Sequence, residues 1–150
     1  MAIGYGKAEK ELTILEEKEG LTFEQIGLLT ESVGWGKRFH QSEEKWQRVL
    51  ALSSHIAYFK ENERLIGFGR ILEDGIMCMF YDICIHPDYQ GRGLGMLLVN
   101  HLIDKIKDKG FISIGLFVWE GNPTASEFYH KCGFEKVAAM ELKTQMKKFC

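Results

Sequence analysis

The sequence is short of prolines and of long apolar runs. Only two prolines, Pro87 and Pro123, occur in the 150 residues, and no repeat or low-complexity tract marks a linker. No run approaches the ~18 apolar residues of a membrane span, and residues 1–15 lack the apolar core of a secretory signal. These absences predict one domain over residues 1–150, located in the cytoplasm and without a membrane partner.

The sequence also lacks a large excess of positive or negative charge and lacks cysteines or histidines at metal-binding spacings. The 19 basic and 21 acidic side chains leave a net charge of −2, so no overall field attracts nucleic acid. The four cysteines never stand in a C-x-x-C arrangement, and no histidine cluster accompanies them. We therefore expect reduced thiols, no metal site and no nucleic-acid partner.

The apolar residues that are present follow helical and strand periods in turn. Thr22 and Gln25 have capping-box spacing, and Ser42 can cap a second helix. Asp74 and Gly75 are typical of a hairpin turn. The predicted elements are a strand over 11–16, helices over 22–34 and from 42, strands over 55–60, 64–72 and 77–85, a helix over 94–110, a strand over 112–118, a helix from 122 that ends just before Gly133, and one or two closing strands within 134–148.

The strand over 112–118 follows the strand over 77–85 through a helix of about four turns. Such a crossover favours a parallel, right-handed connection. The predicted architecture is therefore α/β (α+β), with a mixed, mainly antiparallel sheet that has one parallel pair near its centre.

The segment HPDYQGRGLG, residues 86–95, places three glycines between a strand and a helix. Helix-start amides have no internal acceptors, and glycine lets a ligand approach the backbone, so this arrangement favours an anion. Neither a Walker loop nor a dinucleotide fingerprint fits the spacing, because Met96 and Leu98 stand where the latter needs glycine. The alternative, a tight turn with close helix packing, accounts for one or two of the glycines.

Two motifs together resemble the GCN5-related N-acetyltransferase (GNAT) superfamily. The first is Gln-x-x-Gly-x-Gly at 90–95, and the second is NPTASEFYHKCGF at 122–134. The resemblance implies a sheet of about six to seven strands whose central parallel pair splays apart, flanked by about four helices. It also implies acetyl-coenzyme A as co-substrate and no metal.

The resemblance assigns cofactor contacts residue by residue. Three carry open alternatives: Arg92 can be merely solvated, Asn122 can be only an N-cap, and Cys84 is more simply a small apolar filler than an acyl carrier. The implied set comprises the backbone of Ile83, Cys84 and Ile85 for pantetheine, the loop of Gln90, Gly91, Arg92, Gly93, Leu94, Gly95 and Met96 for the diphosphate, and Asn122, Phe128 and Tyr129 in the later motif.

Two residues are candidates for proton transfer. Tyr129 stands where similar enzymes place a tyrosine beside the cofactor sulfur, and a phenol can protonate a departing thiolate. Asp82 is the only acid in its strand and is the candidate base, directly or through water. The alternative for Tyr129 is a core aromatic whose hydroxyl finds a backbone partner. The alternatives for Asp82 are a structural hydrogen bond or salt bridge, with Glu120 as a second-choice base.

The acceptor site is the least defined part of the sequence. Residues 34–46 carry four aromatic or imidazole side chains in the region that commonly lines the acceptor site of GNAT proteins, although such residues also build cores. No cluster of acidic or basic residues predicts the charge of the acceptor. The four are Trp35, Phe39, His40 and Trp46.

Two functional hypotheses follow from the sequence. The first is an N-acetyltransferase that moves an acetyl group to a primary amine of a small molecule or peptide by direct attack. The second is a coenzyme A-binding regulatory module without turnover. GNAT proteins often form homodimers, but no residue pattern here indicates one.

Overall fold

A computed structural model describes residues 12–36, 41–119, 121–137 and 140. Five strands and four helices lie in these parts of the chain, together with single turns of 3-10 helix at Lys18–Gly20 and Pro87–Tyr89. The strands are β1 Ile14–Leu15, β2 His55–Glu61, β3 Arg64–Glu73, β4 Met77–Ile85 and β5 Ser113–Gly115. The helices are α1 Phe23–Ser32, α2 Glu43–Leu52, α3 Leu94–Ile106 and α4 Pro123–Lys131.

The strands form one sheet in the order β1-β2-β3-β4-β5. The first four are antiparallel, and β5 runs parallel to β4 after the α3 crossover. The mixed, mainly antiparallel sheet is confirmed, with fewer strands than the six to seven expected. The parallel pair ends the described sheet instead of lying at its centre, because the closing strands predicted within 134–148 fall mostly outside the described residues.

Local signals set the helix starts and the hairpin. The Gln25 amide donates to Thr22 Oγ1 at 3.1 Å and the Thr22 amide donates to Gln25 Oε1 at 3.0 Å, which completes the predicted capping box. Ser42 Oγ accepts from the Lys45 amide at 3.2 Å. In the β3–β4 turn, Asp74 Oδ1 accepts from the amides of Ile76 and Met77, and Gly75 takes φ 91°.

The sheet carries a hydrophobic core on each face. Alternate residues of β2 point to opposite sides, so Ala57 and Phe59 pack under α3 while Ile56 and Tyr58 pack under α1 and α2. Phe128 and Tyr129 of α4 pack against the α3 core, whereas Cys84 belongs to the α1–α2 core. In the described ranges, no helix is both long and apolar enough to cross a membrane.

Candidate active site

The parallel strands β4 and β5 separate soon after they meet. Their pairing runs only from Met77–Ser113 to Met79–Gly115, while β4 continues to Ile85. The strand predicted over 112–118 is therefore observed only as Ser113–Gly115. On this side, residues 80–85 of β4 have no strand partner among the described residues. The expected splay is thus present, and Ile83, Cys84 and Ile85 lie on this edge of β4, the open edge, where the described residues supply no strand partner.

The loop after β4 presents backbone amides at the start of α3. Gly91 and Gly93 take φ values of 77° and 80°, a left-handed conformation that favours glycine, and a Cβ at either would meet no heavy atom within 4 Å. The first α3 hydrogen bond runs from the Leu97 amide to the Gly93 carbonyl. The amides of Leu94 and its two successors consequently have no acceptor inside the helix, which is the condition for binding an anion.

Gly95 has a different role from the other two loop glycines. A Cβ on Gly95 would lie 3.2 Å from Phe128 Cζ and 3.8 Å from Ile85 Cγ1. Glycine here allows α3 to pack closely on α4. Close helix packing therefore explains the glycine at 95, and the left-handed backbone explains the glycines at 91 and 93.

The polar side chains of the loop contact the protein itself. Gln90 Nε2 donates to the Ile85 carbonyl at 2.9 Å. Arg92 donates to the Asp88 carbonyl at 3.3 Å, with its guanidinium 5.2 Å from the centre of the Tyr89 ring. These contacts hold the loop against the end of β4.

Asn122 lies exposed at the start of α4. Its Oδ1 accepts from the Ala125 amide at 3.0 Å, so the capping alternative is observed. The contact between Asn122 and pantetheine remains a prediction.

Tyr129 is half-buried on α4, with its ring edge-on to Phe128 at 5.1 Å and Phe134 at 6.0 Å. Its hydroxyl forms no hydrogen bond to the described residues, and no buried polar side-chain atom among them lacks a partner, so the hydroxyl reaches solvent. Burial, with smaller contributions from Cys84 and Cys132, raises the pKa of Tyr129 far above that of an ordinary phenol. The phenol therefore stays protonated.

Cys84 is buried in the α1–α2 core, close enough to Tyr129 to affect the pKa of that phenol. Burial, and secondarily the charge of Asp82, raises the pKa of the Cys84 thiol well above its usual range. A neutral, buried thiol is a poor nucleophile, so the structure favours the small-filler interpretation of Cys84.

Asp82 lies in a β-bulge. Phe68 pairs with Cys84 and Arg70 with Tyr81, so two β4 residues face the single residue between Phe68 and Arg70, and Asp82 takes φ 57°. Its Oδ2 lies 2.6 Å from Arg70 Nε, and both side chains are largely buried. The salt-bridge alternative for Asp82 is thus observed.

A groove of about 370 Å³ lies between α2 and this bulge. Within it, Trp46 is only 4% exposed and belongs to the α1–α2 core. Of the other acceptor and base candidates, Phe39, His40 and Glu120 lie outside the described residues. The groove is lined by Gln41, Lys45, Trp46, Arg48, Val49, Leu52, Arg70 and Asp82.

Sequence reasoning missed the three basic residues of the groove, which are Lys45, Arg48 and Arg70. The spacing of Lys45 and Arg48, one helical turn apart, was a signal available in the sequence. Nothing local indicated Arg70, which reaches the groove through strand pairing.

Comparison with known proteins agrees with this arrangement. Residues 21–134 match the acetyltransferase (GNAT) family. An uncharacterized N-acetyltransferase, ycf52, of Porphyra purpurea is 33% identical over 137 residues, which cover 88% of this chain and 75% of that protein. A ribosomal protein bS18 alanine N-acetyltransferase of Haemophilus influenzae is 39% identical over 80 residues, 51% of this chain and 52% of the relative.

A solved GNAT-family acetyltransferase of Streptococcus pneumoniae shares the fold. It superposes with a TM-score of 0.71 at 23% identity and covers 90% of this chain and 99% of its own. The family match extends over well more than half of the sequence, and the splayed strands and amide loop lie inside the matched range. The chain therefore belongs to the GNAT family and is an acyltransferase.

Proposed function

We propose that the protein transfers an acetyl group from acetyl-coenzyme A to a primary amine by direct attack. The observation that carries this proposal is the continuity of two backbone surfaces, because the open edge of β4 leads directly into the amide loop at the start of α3. The family match at 21–134 supports a single acetyltransferase domain over the chain.

The residues of this surface fit a diphosphate followed by an extended arm. Amides of Gly93, Leu94, Gly95 and Met96 would hold the diphosphate, and the edge of β4 at 83–85 would pair with pantetheine as an added strand does. Bound there, acetyl-coenzyme A supplies the activated acetyl thioester. Gln90 would keep the loop on β4 through its hydrogen bond to the Ile85 carbonyl.

Tyr129 is the proposed acid. A thiol has a pKa of about 8.5, and the phenol of Tyr129, whose pKa is raised, remains able to donate its proton as the C–S bond breaks and the C–N bond forms. Because Tyr129 packs on the α3 face while the α2 groove opens on the other, the two substrates would reach β4 from opposite faces.

Asp82 is the proposed base, accepting the amine proton directly or through water. Arg70 engages Oδ2 of its carboxylate, which fixes the group at the groove wall. The bulge turns this carboxylate into the α2 groove, where an amine could approach it.

The test is thiol release from acetyl-coenzyme A with a panel of amines, amino acids, antibiotics and peptides. A peptide with an N-terminal alanine belongs in the panel, since one relative is named for acetylating such a residue of a ribosomal protein. We expect acceptor-dependent release. Binding of coenzyme A without turnover on any acceptor would favour the regulatory-module hypothesis.

The binding mode is tested by Gly93→Val, which puts a branched side chain at the amide loop. Calorimetry should show at least a tenfold weaker affinity for coenzyme A. Gly75→Val is the matched control, because Gly75 also has a positive φ and open surroundings but lies in the β3–β4 turn. Equal affinity in the two variants would contradict diphosphate binding at Gly93.

A further inference from the structure

The α2 groove is positively charged although the whole chain is slightly acidic. Among its lining residues, Lys45, Arg48 and Arg70 are basic and Asp82 is acidic. Lys45 and Arg48 are exposed and lie one turn apart on α2, so their charged groups face the same opening.

The charges of Lys45 and Arg48 are not neutralised by the described residues. Neither has a carboxylate within ion-pair distance there, whereas Arg70 is paired with Asp82. Within the described ranges, Lys45 Nζ donates a hydrogen bond to the neutral Gln41 Oε1 at 3.1 Å. The acids Glu43 and Glu44 stand in the first turn of α2 and do not line the groove.

The two sides of the groove therefore differ in charge: Arg70 balances Asp82 on the β3–β4 side, whereas Lys45 and Arg48 leave the α2 side positive. Asp82 offers a carboxylate at the bulge, and Lys45 and Arg48 offer cations on the α2 side. Val49 and Leu52 give an apolar wall alongside them. A molecule that matches this pattern has an amine, an apolar body and an anionic group.

We infer that the acceptor is a small amine that also carries a carboxylate or phosphate, which Lys45 and Arg48 bind while its amine faces Asp82. This inference rests on the proposed acetyl transfer and names the acceptor class of the same site. Lys45 and Arg48 are then specificity-determining residues, and electrostatic complementarity makes them act mainly on acceptor affinity.

The test compares acceptors that differ only in the anion. Phenylalanine is paired with 2-phenylethylamine for the carboxylate, and phosphoethanolamine is paired with ethanolamine for the phosphate. We expect the anionic member of at least one pair to have the higher kcat/KM, and the pair that shows the preference identifies the anion.

Variants then assign the preference to the two side chains. Lys45→Gln with Arg48→Gln should raise KM for the anionic acceptor about three- to tenfold, with KM for acetyl-coenzyme A unchanged. Arg48→Glu should reverse the preference within each pair. Lys107→Gln is the charge-matched control, because Lys107 pairs with Asp104 at the far end of α3.

Two failures can be told apart. Turnover that is indifferent to the anion, or a preference that survives in the double variant, overturns this inference and leaves acetyl transfer intact. Absence of turnover with every amine overturns both.

Discussion

At the scale of single residues, Tyr129 and Asp82 lie in opposite electrostatic settings. The ring of Tyr129 packs against apolar rings, and its burial, with smaller contributions from two nearby thiols, favours the protonated phenol. The carboxylate of Asp82 is held by a guanidinium that also stacks 4.8 Å over the Tyr81 ring. The residue proposed as acid thus lies in a neutral environment, and the residue proposed as base lies in an ion pair.

Tyr129→Phe should lower kcat by roughly a hundredfold, because it removes only the proton-donating hydroxyl. The affinity for coenzyme A should change less than about twofold, since the ring packing is kept. Steady-state kinetics and calorimetry measure these two quantities. Because the raised pKa keeps the wild-type phenol protonated, the loss should be similar at about pH 7 and about pH 9.

Tyr81→Phe is the control for the loss of a tyrosine hydroxyl. It keeps the ring that stacks on Arg70 and lies on β4, outside the α4 motif. An equal loss of turnover in both variants, or an unchanged kcat in Tyr129→Phe, would remove Tyr129 from the role of acid.

At the scale of elements, α3 and α4 meet where Gly95 lies under the Phe128 ring. This contact joins the helix that starts with the amide loop to the helix that carries Tyr129. The loop and the candidate acid are therefore positioned by one packing interface.

Gly95→Val should lower the free energy of unfolding by about 1–3 kcal/mol, because the added side chain overlaps the Phe128 ring. Urea denaturation measures this loss. Adding Phe128→Leu should recover part of it, since the smaller side chain makes room, and the two changes should couple in a double-mutant cycle. Additive effects would show that Gly95 is not limited by Phe128.

The sequence predicts those elements whose signals are local. Thr22 and Gln25 specify the start of α1, and Asp74 with Gly75 specifies the β3–β4 turn. The bulge at Asp82 and the partnership with Arg70 depend on strand register, which no short window of sequence contains. The strand predicted over 112–118 was too long for the same reason. Its pairing ends where β5 separates from β4, and this separation depends on both strands.

At the scale of the whole molecule, the first strand is tied to α3 by charge. Glu16 Oε1 lies 2.6 Å from His101 Nε2 and 2.7 Å from Lys105 Nζ. Hydrogen bonds from Lys105 and then His101 lower the pKa of Glu16 below its ordinary value. These ion pairs hold Glu16, the residue after β1, against α3.

Glu16→Gln should lower the melting temperature by about 1–2 °C near neutral pH, a small effect because the pair is exposed. A carboxylate whose pKa is lowered by folding stabilises the protein above its unfolded pKa of about 4.3, and this contribution is lost as the pH falls through the folded value. The difference between variant and wild type should therefore vanish in strong acid. Calorimetric melts against pH measure it.

Glu135→Gln is the control for the loss of one negative charge, since Glu135 is exposed and forms no ion pair with the described residues. A pH-independent difference between wild type and Glu16→Gln would show that the contact acts through packing and not through charge.

The divergence of β4 from β5 has a consequence for how the protein behaves in solution. On the β5 side, residues 80–85 have no strand partner among the described residues, and an unpaired strand edge is a template for pairing with another extended chain. A pantetheine arm lying there would shield these amides from deuterium exchange and from intermolecular β-pairing. Binding of acetyl-coenzyme A at this edge would then reduce self-aggregation as well as prepare acyl transfer.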